Sequence, residues 1–335
     1  MAERLIEIYV PGAHAERVGE IVEKADCMWS WKQSIEDTAV IRLLVKVEAV
    51  EPVLDKLEPL LNSLEGSRLL VLTVEAFLPR PEPEPKPVPE PGTKKPIAGR
   101  ISRSELYADL EGFAKITPSF LITSVLSTIV AVIGLTQNSS AVIIGAMVIA
   151  PLLGPNMALA LATTLGDTGL MWRALKANAA GVAVALAVAL LSGLVWTMDP
   201  SANEVASRTI ISFNEILLAL ATGTAGALAV TIGVASSLVG VMVAVALLPP
   251  LVIASTLLVQ GHVDLAANAF LLLATNVICV NLSGVVTFYA QGIKPRTWWE
   301  SQKSKRATRV ALTIWLVLLA IVAVLVSMST FEGLE

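Results

Sequence analysis

Five stretches of the chain contain no Asp, Glu, Lys or Arg: 117–166, 177–198, 216–261, 265–293 and 310–331. A helix of about 20 apolar residues crosses the hydrocarbon core of a bilayer. The stretches predict seven such spans, near 118–136, 139–165, 172–198, 213–232, 236–260, 265–291 and 309–331. The pattern before residue 79 is different. Leu5–Val10 alternates as a strand, Pro11-Gly12 turns, and Ala15–Ala25 sets Val18, Ile21 and Val22 on one helical stripe. Met28–Trp31 and Thr38–Val47 read as strands, and Ala49–Leu64 as a helix with Val53, Leu57, Leu60, Leu61 and Leu64 inward. Arg68–Leu78 reads as the last strand. The order βαββαβ is the split-βαβ, ferredoxin-like arrangement.

The expected fold class is therefore an α-helical polytopic membrane body with a small N-terminal α+β head. Its parts are a head at 1–78, a proline-rich linker at 79–99 and an interfacial amphipathic helix at 100–117. Three spans fill 118–198, an external loop 199–212, and three more spans 213–292. A basic cytoplasmic loop at 293–308 leads to a last span at 309–331. The linker, PRPEPEPKPVPEPGTKKP, favours extended polyproline II and reads as a spacer between head and membrane. In the helix after it, Ser102 or Ser104 can cap, with Leu106, Leu110 and Phe113 as the apolar stripe.

Composition sharpens this picture. Of 335 residues, 55% are hydrophobic and 16% charged, against about 25% charged in soluble domains. The balance excludes a secreted disulfide scaffold, a fibrous protein and a nucleic-acid binder. Cys27 and Cys279 fall in different parts and are not expected to pair. His14 and His262 build no metal site, and no cofactor motif is present. Residues 1–20 carry Glu3, Arg4, Glu7, Glu16 and Arg17, which do not suit a secretory signal. Basic residues fix an orientation. Arg100, Arg103 and Lys115 precede span one, Arg173 and Lys176 follow span two, and Lys294, Arg296, Lys303, Lys305, Arg306 and Arg309 precede span seven. All fall on one side if the head is cytoplasmic and the C-terminus external, as in a multi-pass protein of the inner (cytoplasmic) membrane. The expected partners are the lipid bilayer, a small solute and further copies of the chain in a homo-oligomer. The head is read either as a module for a small ligand or partner protein, or as an oligomerisation or structural cap.

Within the body, Gly145-Ala-Met-Val-Ile-Ala-Pro-Leu-Leu-Gly-Pro155 aligns without a gap on Gly240-Val-Met-Val-Ala-Val-Ala-Leu-Leu-Pro-Pro250. Leu191-Ser192-Gly193 likewise resembles Leu282-Ser283-Gly284. Three spans per copy means that the second copy enters from the opposite face, an inverted repeat of the kind found in secondary transporters. Pro151, Pro155, Pro249 and Pro250 sit mid-span, where proline removes a donor and breaks a helix. Broken backbone inside a membrane persists where it is buried in protein or lines a wet cavity, and a half-helix starting at Pro155 or Pro250 favours an anion. The candidate substrate residues are Pro151, Gly154, Pro155, Asn156, Pro249, Pro250, Glu215, Thr222 and Asn276. Glu215 is the one acid at a span, where an ionisable group is a functional hypothesis, although it also suits the water interface. Asn178, Asn268, Asn281, Thr275 and Ser283 add polar content that equally serves as inter-helix glue.

The segment SSAVIIGAMVIAPLLGPNMALALATTLGD, Ser139–Asp167, together with ALLPP at Ala246–Pro250, resembles the prokaryotic uncharacterised hydrophobic family, domain of unknown function 389. The resemblance implies a membrane protein without an established substrate and carries over no catalytic residues. The expectation is a secondary transporter of a small polar or anionic solute, one three-span copy moving against the other. A channel or lipid scramblase, and a membrane-anchored sensor using the head, are the alternatives. No nucleophile and base, paired aspartates or zinc set point to an enzyme.

Overall fold

The computed structural model describes residues 3–35, 37–74, 100–210, 212–233, 247–293, 310 and 312–327. The linker at 79–99, the first part of the fifth span and nearly all of the basic loop lie outside the described residues. Two compact units divide the chain, Met1–Leu106 and Tyr107–Glu335.

In the first unit, β1 (Glu3–Pro11), α1 (Ala15–Glu23), β2 (Trp29–Ile35), β3 (Thr38–Lys46), α2 (Val47–Leu61) and β4 (Arg68–Val74) follow the order the head predicts. The sheet runs β2-β3-β1-β4 and is antiparallel throughout. Alternation decides its faces. Ile6, Ile8 and Val10 join Ile41, Leu43 and Val45 under Val18, Val53 and Leu57 of the helices, while the odd-numbered residues of β1 face away. Residues 100–106 group with this unit, where Ile101 is buried and Arg4 Nε donates to Glu105 Oε1 at 2.7 Å. Ser102 starts α3 (Arg103–Phe113) with a capping box. Its hydroxyl accepts from Glu105 N–H at 3.2 Å, and the Glu105 carboxylate accepts from Ser102 N–H at 3.1 Å.

The second unit is helical. Its elements are α4 (Pro118–Thr136), α5 (Ser140–Ile149), α6 (Leu153–Leu165), α7 (Thr168–Gly193), α8 (Asn203–Ala206), α9 (Phe213–Ile232), α10 (Leu248–Val259) and α11 (Val263–Ala290). A shorter apolar helix, α12 (Leu312–Ser327), follows. Among the described residues, four helices are long and apolar enough to cross a membrane: α4, α7, α9 and α11. The bent pair α5–α6 makes five if it counts as one span. Burial separates them by role. In their most apolar windows α7 and α9 are each 28% buried and α11 is 67% buried, so α11 is central and the other two present apolar faces outward. The short α6 and α10 are buried nearly all round, as expected of helices without a polar face.

Landmarks recur 95 residues apart. α4 starts at Pro118 and α9 at Phe213; α6 at Leu153 and α10 at Leu248; α7 at Thr168 and α11 at Val263. The left-handed positions keep the same offset, Asn138 (φ 49°) with Gly233 (φ 75°) and Gly166 (φ 68°) with Gly261 (φ 86°). Gly145/Gly240 of the proline motifs shares it. Packing follows the same correspondence. α4 rests on α7 as α9 rests on α11, and α6 packs on both α7 and α11, as does α10.

Candidate functional site

Proline sets the break in the first motif. A residue before proline is pushed out of the helical region, and Ala150 takes φ −65°, ψ 122° ahead of Pro151, which ends α5 at Ile149. The helix resumes as α6 with its axis turned by 53°. The half-helix begins at Leu153, two residues before the expected start at Pro155. Leu153, Gly154 and Pro155 are its first three residues, where a backbone nitrogen has no carbonyl partner within the helix, so Pro155, which lacks an N–H, displaces no bond. α10 begins in the same way with Leu248, Pro249 and Pro250; the residues before Leu247 lie outside those described. Neither Leu152 nor Leu247 supplies a side-chain cap.

A cleft of about 330 Å³ opens at the first break. Pro151, Gly154 and Pro155 line it together with Phe113 at the end of α3, Lys115 of the α3–α4 connection, Thr117 and Ser119 at the start of α4, and Val230 of α9. Two helix N-termini, those of α4 and α6, therefore border one cavity whose only charged lining residue among the described residues is Lys115. Thr117 caps α4, its hydroxyl accepting from Phe120 N–H at 3.1 Å. Gly154 is required by the fit: a Cβ there would lie 2.7 Å from Cβ and Cγ of Phe113.

Two polar contacts within this unit tie α3 to the start of α7. The Tyr107 hydroxyl donates to Asp167 Oδ2 at 2.7 Å, and Arg173 Nη1 lies 3.0 Å from Glu111 Oε1. Asp167 also caps α7, accepting from Leu170 N–H at 3.0 Å. Burial raises the Asp167 pKa, but the Leu170 N–H, the Tyr107 hydroxyl and Arg173 outweigh it, and the net shift is downward. Burial, then the bond to Asp167, pushes Tyr107 up to about 12.

Behind the break lies a chain of amides. Asn156 Nδ2 donates to Leu152 O at 2.8 Å and to Asn178 Oδ1 at 2.9 Å. Asn281 Nδ2 donates to Asn156 Oδ1 at 2.8 Å and to Val277 O at 2.9 Å. Three helices, α7, α6 and α11, are thus joined through one side chain at the start of α6. Asn281 Oδ1 and Asn178 Nδ2 have no partner among the described residues.

The other candidates sit apart from the cleft lining. Asn276 is buried on α11, five residues before Asn281. Thr222 turns its hydroxyl back to Leu218 O at 2.9 Å. Glu215 occupies the first turn of α9, eight residues and about 12 Å of helix before Gly223, which faces Ser283 and Val280 of α11. Sequence reasoning missed Lys115 and Phe113 as lining residues and the joining of Asn156 to Asn178 and Asn281. Pro118 directly after Thr117, a capped helix start beside a lysine, was the available signal for the first.

No solved structure matches the chain. An uncharacterized protein of Methanocaldococcus jannaschii is 31% identical over 326 residues, covering 97% of this chain and 99% of the relative. The family described as domain of unknown function (DUF389) matches residues 147–282, from the end of α5 to the centre of α11. The chain belongs to that family.

Proposed function

We propose that the protein is a membrane carrier for a small polar or anionic solute. On this reading it has seven spans, two inverted three-span repeats, a cytoplasmic head and an external C-terminus. The basic residues before spans one, three and seven support the orientation. The 95-residue offset between helix starts and left-handed positions supports the repeats. The observation that carries the function is the cleft at the α5–α6 break. Two helix N-termini direct partial positive charge toward it, Lys115 adds a full one, and the proline break keeps the first N–H groups of α6 out of a continuing helix.

The test is flux of inorganic phosphate, chloride and acetate, each as a labelled probe, into proteoliposomes of the full chain. Saturation and counterflow identify a carrier, whereas linear flux without counterflow identifies a channel. Lys115→Gln is expected to raise the half-saturating concentration for the transported anion, and Pro151→Ala, which removes the cause of the break, to lower the maximal rate. Absence of flux for all three probes, or wild-type kinetics in both variants, refutes the proposal.

A further inference from the structure

One face of the head's sheet is uncovered by α1 and α2, and the strand register orders it in rows. Trp29, Leu44, Leu5 and Leu72 form one row across the four strands, and Trp31, Arg42, Glu7 and Leu70 the next. The outer strands are apolar and open: Trp29 is 59% exposed, Leu70 46% and Leu72 44%. The two central strands carry the charge. Arg42 Nε donates to Glu7 Oε1 at 2.5 Å, and its guanidinium lies 5.8 Å from the centre of the Trp31 ring. The flanking rows add Lys46 opposite Glu3 and Arg68 opposite Tyr9, so a positive β3 lies beside a negative β1, with one further arginine at the edge on β4 and apolar side chains on both outer strands.

We propose that this face is the contact between two copies of the chain, stacked about a two-fold axis parallel to the strands. That axis lays β2 over the partner's β4 and β3 over the partner's β1. Rows are preserved, so Trp29 meets the partner's Leu72, Trp31 meets the partner's Leu70, and Arg42 meets the partner's Glu7. A two-fold axis perpendicular to the strands instead sets Arg42 against the partner's Arg42 and Glu7 against the partner's Glu7. Charge thus selects the first axis, since like charges face to face are penalised and opposite ones fix register. Stacked sheets of this kind pack about 10 Å apart with strands within about 30°. Four strands about 4.8 Å apart and seven residues at about 3.4 Å each cover roughly 450 Å² per copy. Doubled, the footprint is about 900 Å², near the ~1,000 Å² of a specific interface; Leu44 and Val40 at its centre are already buried, so the surface removed comes from the outer strands. The inference does not depend on transport.

The experiment uses the full chain in mild detergent, with Cys27→Ser as background and the buried Cys279 retained. Trp29→Cys and Leu72→Cys are made singly and together, then treated with a short bis-maleimide. Within one copy the two positions are separated by two intervening strands, so a species of twice the mass reports the intermolecular pair. The expected result is dimer from the double variant, little from either single variant, and none from Glu20→Cys on the exposed side of α1. Trp29→Cys linking to itself as readily as the double variant is incompatible with the parallel axis and overturns the proposal. Equal linking by Glu20→Cys, which marks collision, or no linking by the double variant also overturns it. Both positions are exposed and outside the head's core, and an unchanged thermal melt verifies folding of each variant.

Discussion

The amide chain offers the most direct measurement of what joins the helices. Asn156→Ala removes two inter-helix hydrogen bonds, to Asn178 on α7 and from Asn281 on α11. It leaves Asn178 Oδ1 and one Asn281 proton unmet; the Asn281 amide keeps its bond to Val277 O. Orphaned polar groups in a protein interior cost about 1–3 kcal/mol each, or about 2–6 for two. Inter-helix hydrogen bonds within membranes average only about 0.6 and reach about 1.7 kcal/mol, because separated helices find other partners there. The second scale governs when unfolding is driven in micelles and the helices persist. Asn156→Ala should then destabilise by about 1–3 kcal/mol. Asn281→Ala loses one inter-helix bond but also deletes the unpartnered Oδ1, so it should cost less. A double-mutant cycle between them isolates the shared bond, with an expected coupling of about 0.6–1.7 kcal/mol, or about three- to twenty-fold in the unfolding constant. The assay is SDS titration of the full chain in mixed micelles. Additivity within about 0.3 kcal/mol would refute the reasoning and place the strength of the junction in packing.

Other outcomes follow from the same contacts. Gly223→Ala should destabilise by about 1–3 kcal/mol, a typical overpacking cost, because its Cβ would meet Ser283 Oγ at 2.2 Å and Val280 Cα at 2.8 Å; an unchanged SDS midpoint counts against the α9–α11 packing. Asp167 has a folded-state pKa below its ordinary 3.8, so its stabilisation is present above that value and is lost as pH falls through the lower folded one. Acid titration of stability should therefore flatten in Asp167→Asn and weaken in Tyr107→Phe, and an identical acid limb in all three proteins would contradict the pairing. For the proposed topology, a cysteine at Glu335 should react with an impermeant reagent from outside and one at Ala2 should not; the reverse pattern reverses the orientation.

Local signals made much of this architecture readable. Alternation at Leu5–Val10 and 3.6-residue spacing at Val53–Leu57 found the head, because both periods follow from which side chains must leave water. Charge-free stretches located α4, α7, α9 and α11, since a bilayer-length helix needs little besides length and apolarity. Pro151 marked the break, yet the exact start of α6 eluded the reading. Pro155 appeared to begin the helix, whereas proline is tolerated throughout the first turn. What stayed hidden depends on distance in space. Asn156 and Asn281 are 125 residues apart, and no local period states that two amides will meet. Lys115 and Phe113 reach the cleft only because α3 returns to the break, with Tyr107 and Glu111 meeting Asp167 and Arg173.

The packing also constrains how a carrier of this design would move. The expectation from sequence was one three-span copy swinging against the other. Each short helix, however, packs on the third helix of both copies: α6 on α7 and α11, α10 on α11 and α7. The crossed interfaces are close. A Cβ on Gly284 would lie 2.8 Å from Ala160 Cβ, and one on Gly193 would lie 3.2 Å from Thr256 Cα. These two glycines end Leu-Ser-Gly triplets 91 residues apart, so the tight contacts fall about one helical turn out of step with the 95-residue offset. Separating the copies as rigid bodies would open both interfaces and break the Asn156–Asn281 bond, all within a buried centre. Packed interfaces switch between discrete arrangements rather than stretch. α9 is held as closely, since a Cβ on Gly223 would lie 2.2 Å from Ser283 Oγ of α11, whereas α5 packs chiefly on α4, which borders the cleft through Thr117 and Ser119. A rigid centre of α6, α7, α9, α10 and α11, joined to the α4–α5 pair at the Pro151 break, fits the contacts better than two swinging halves.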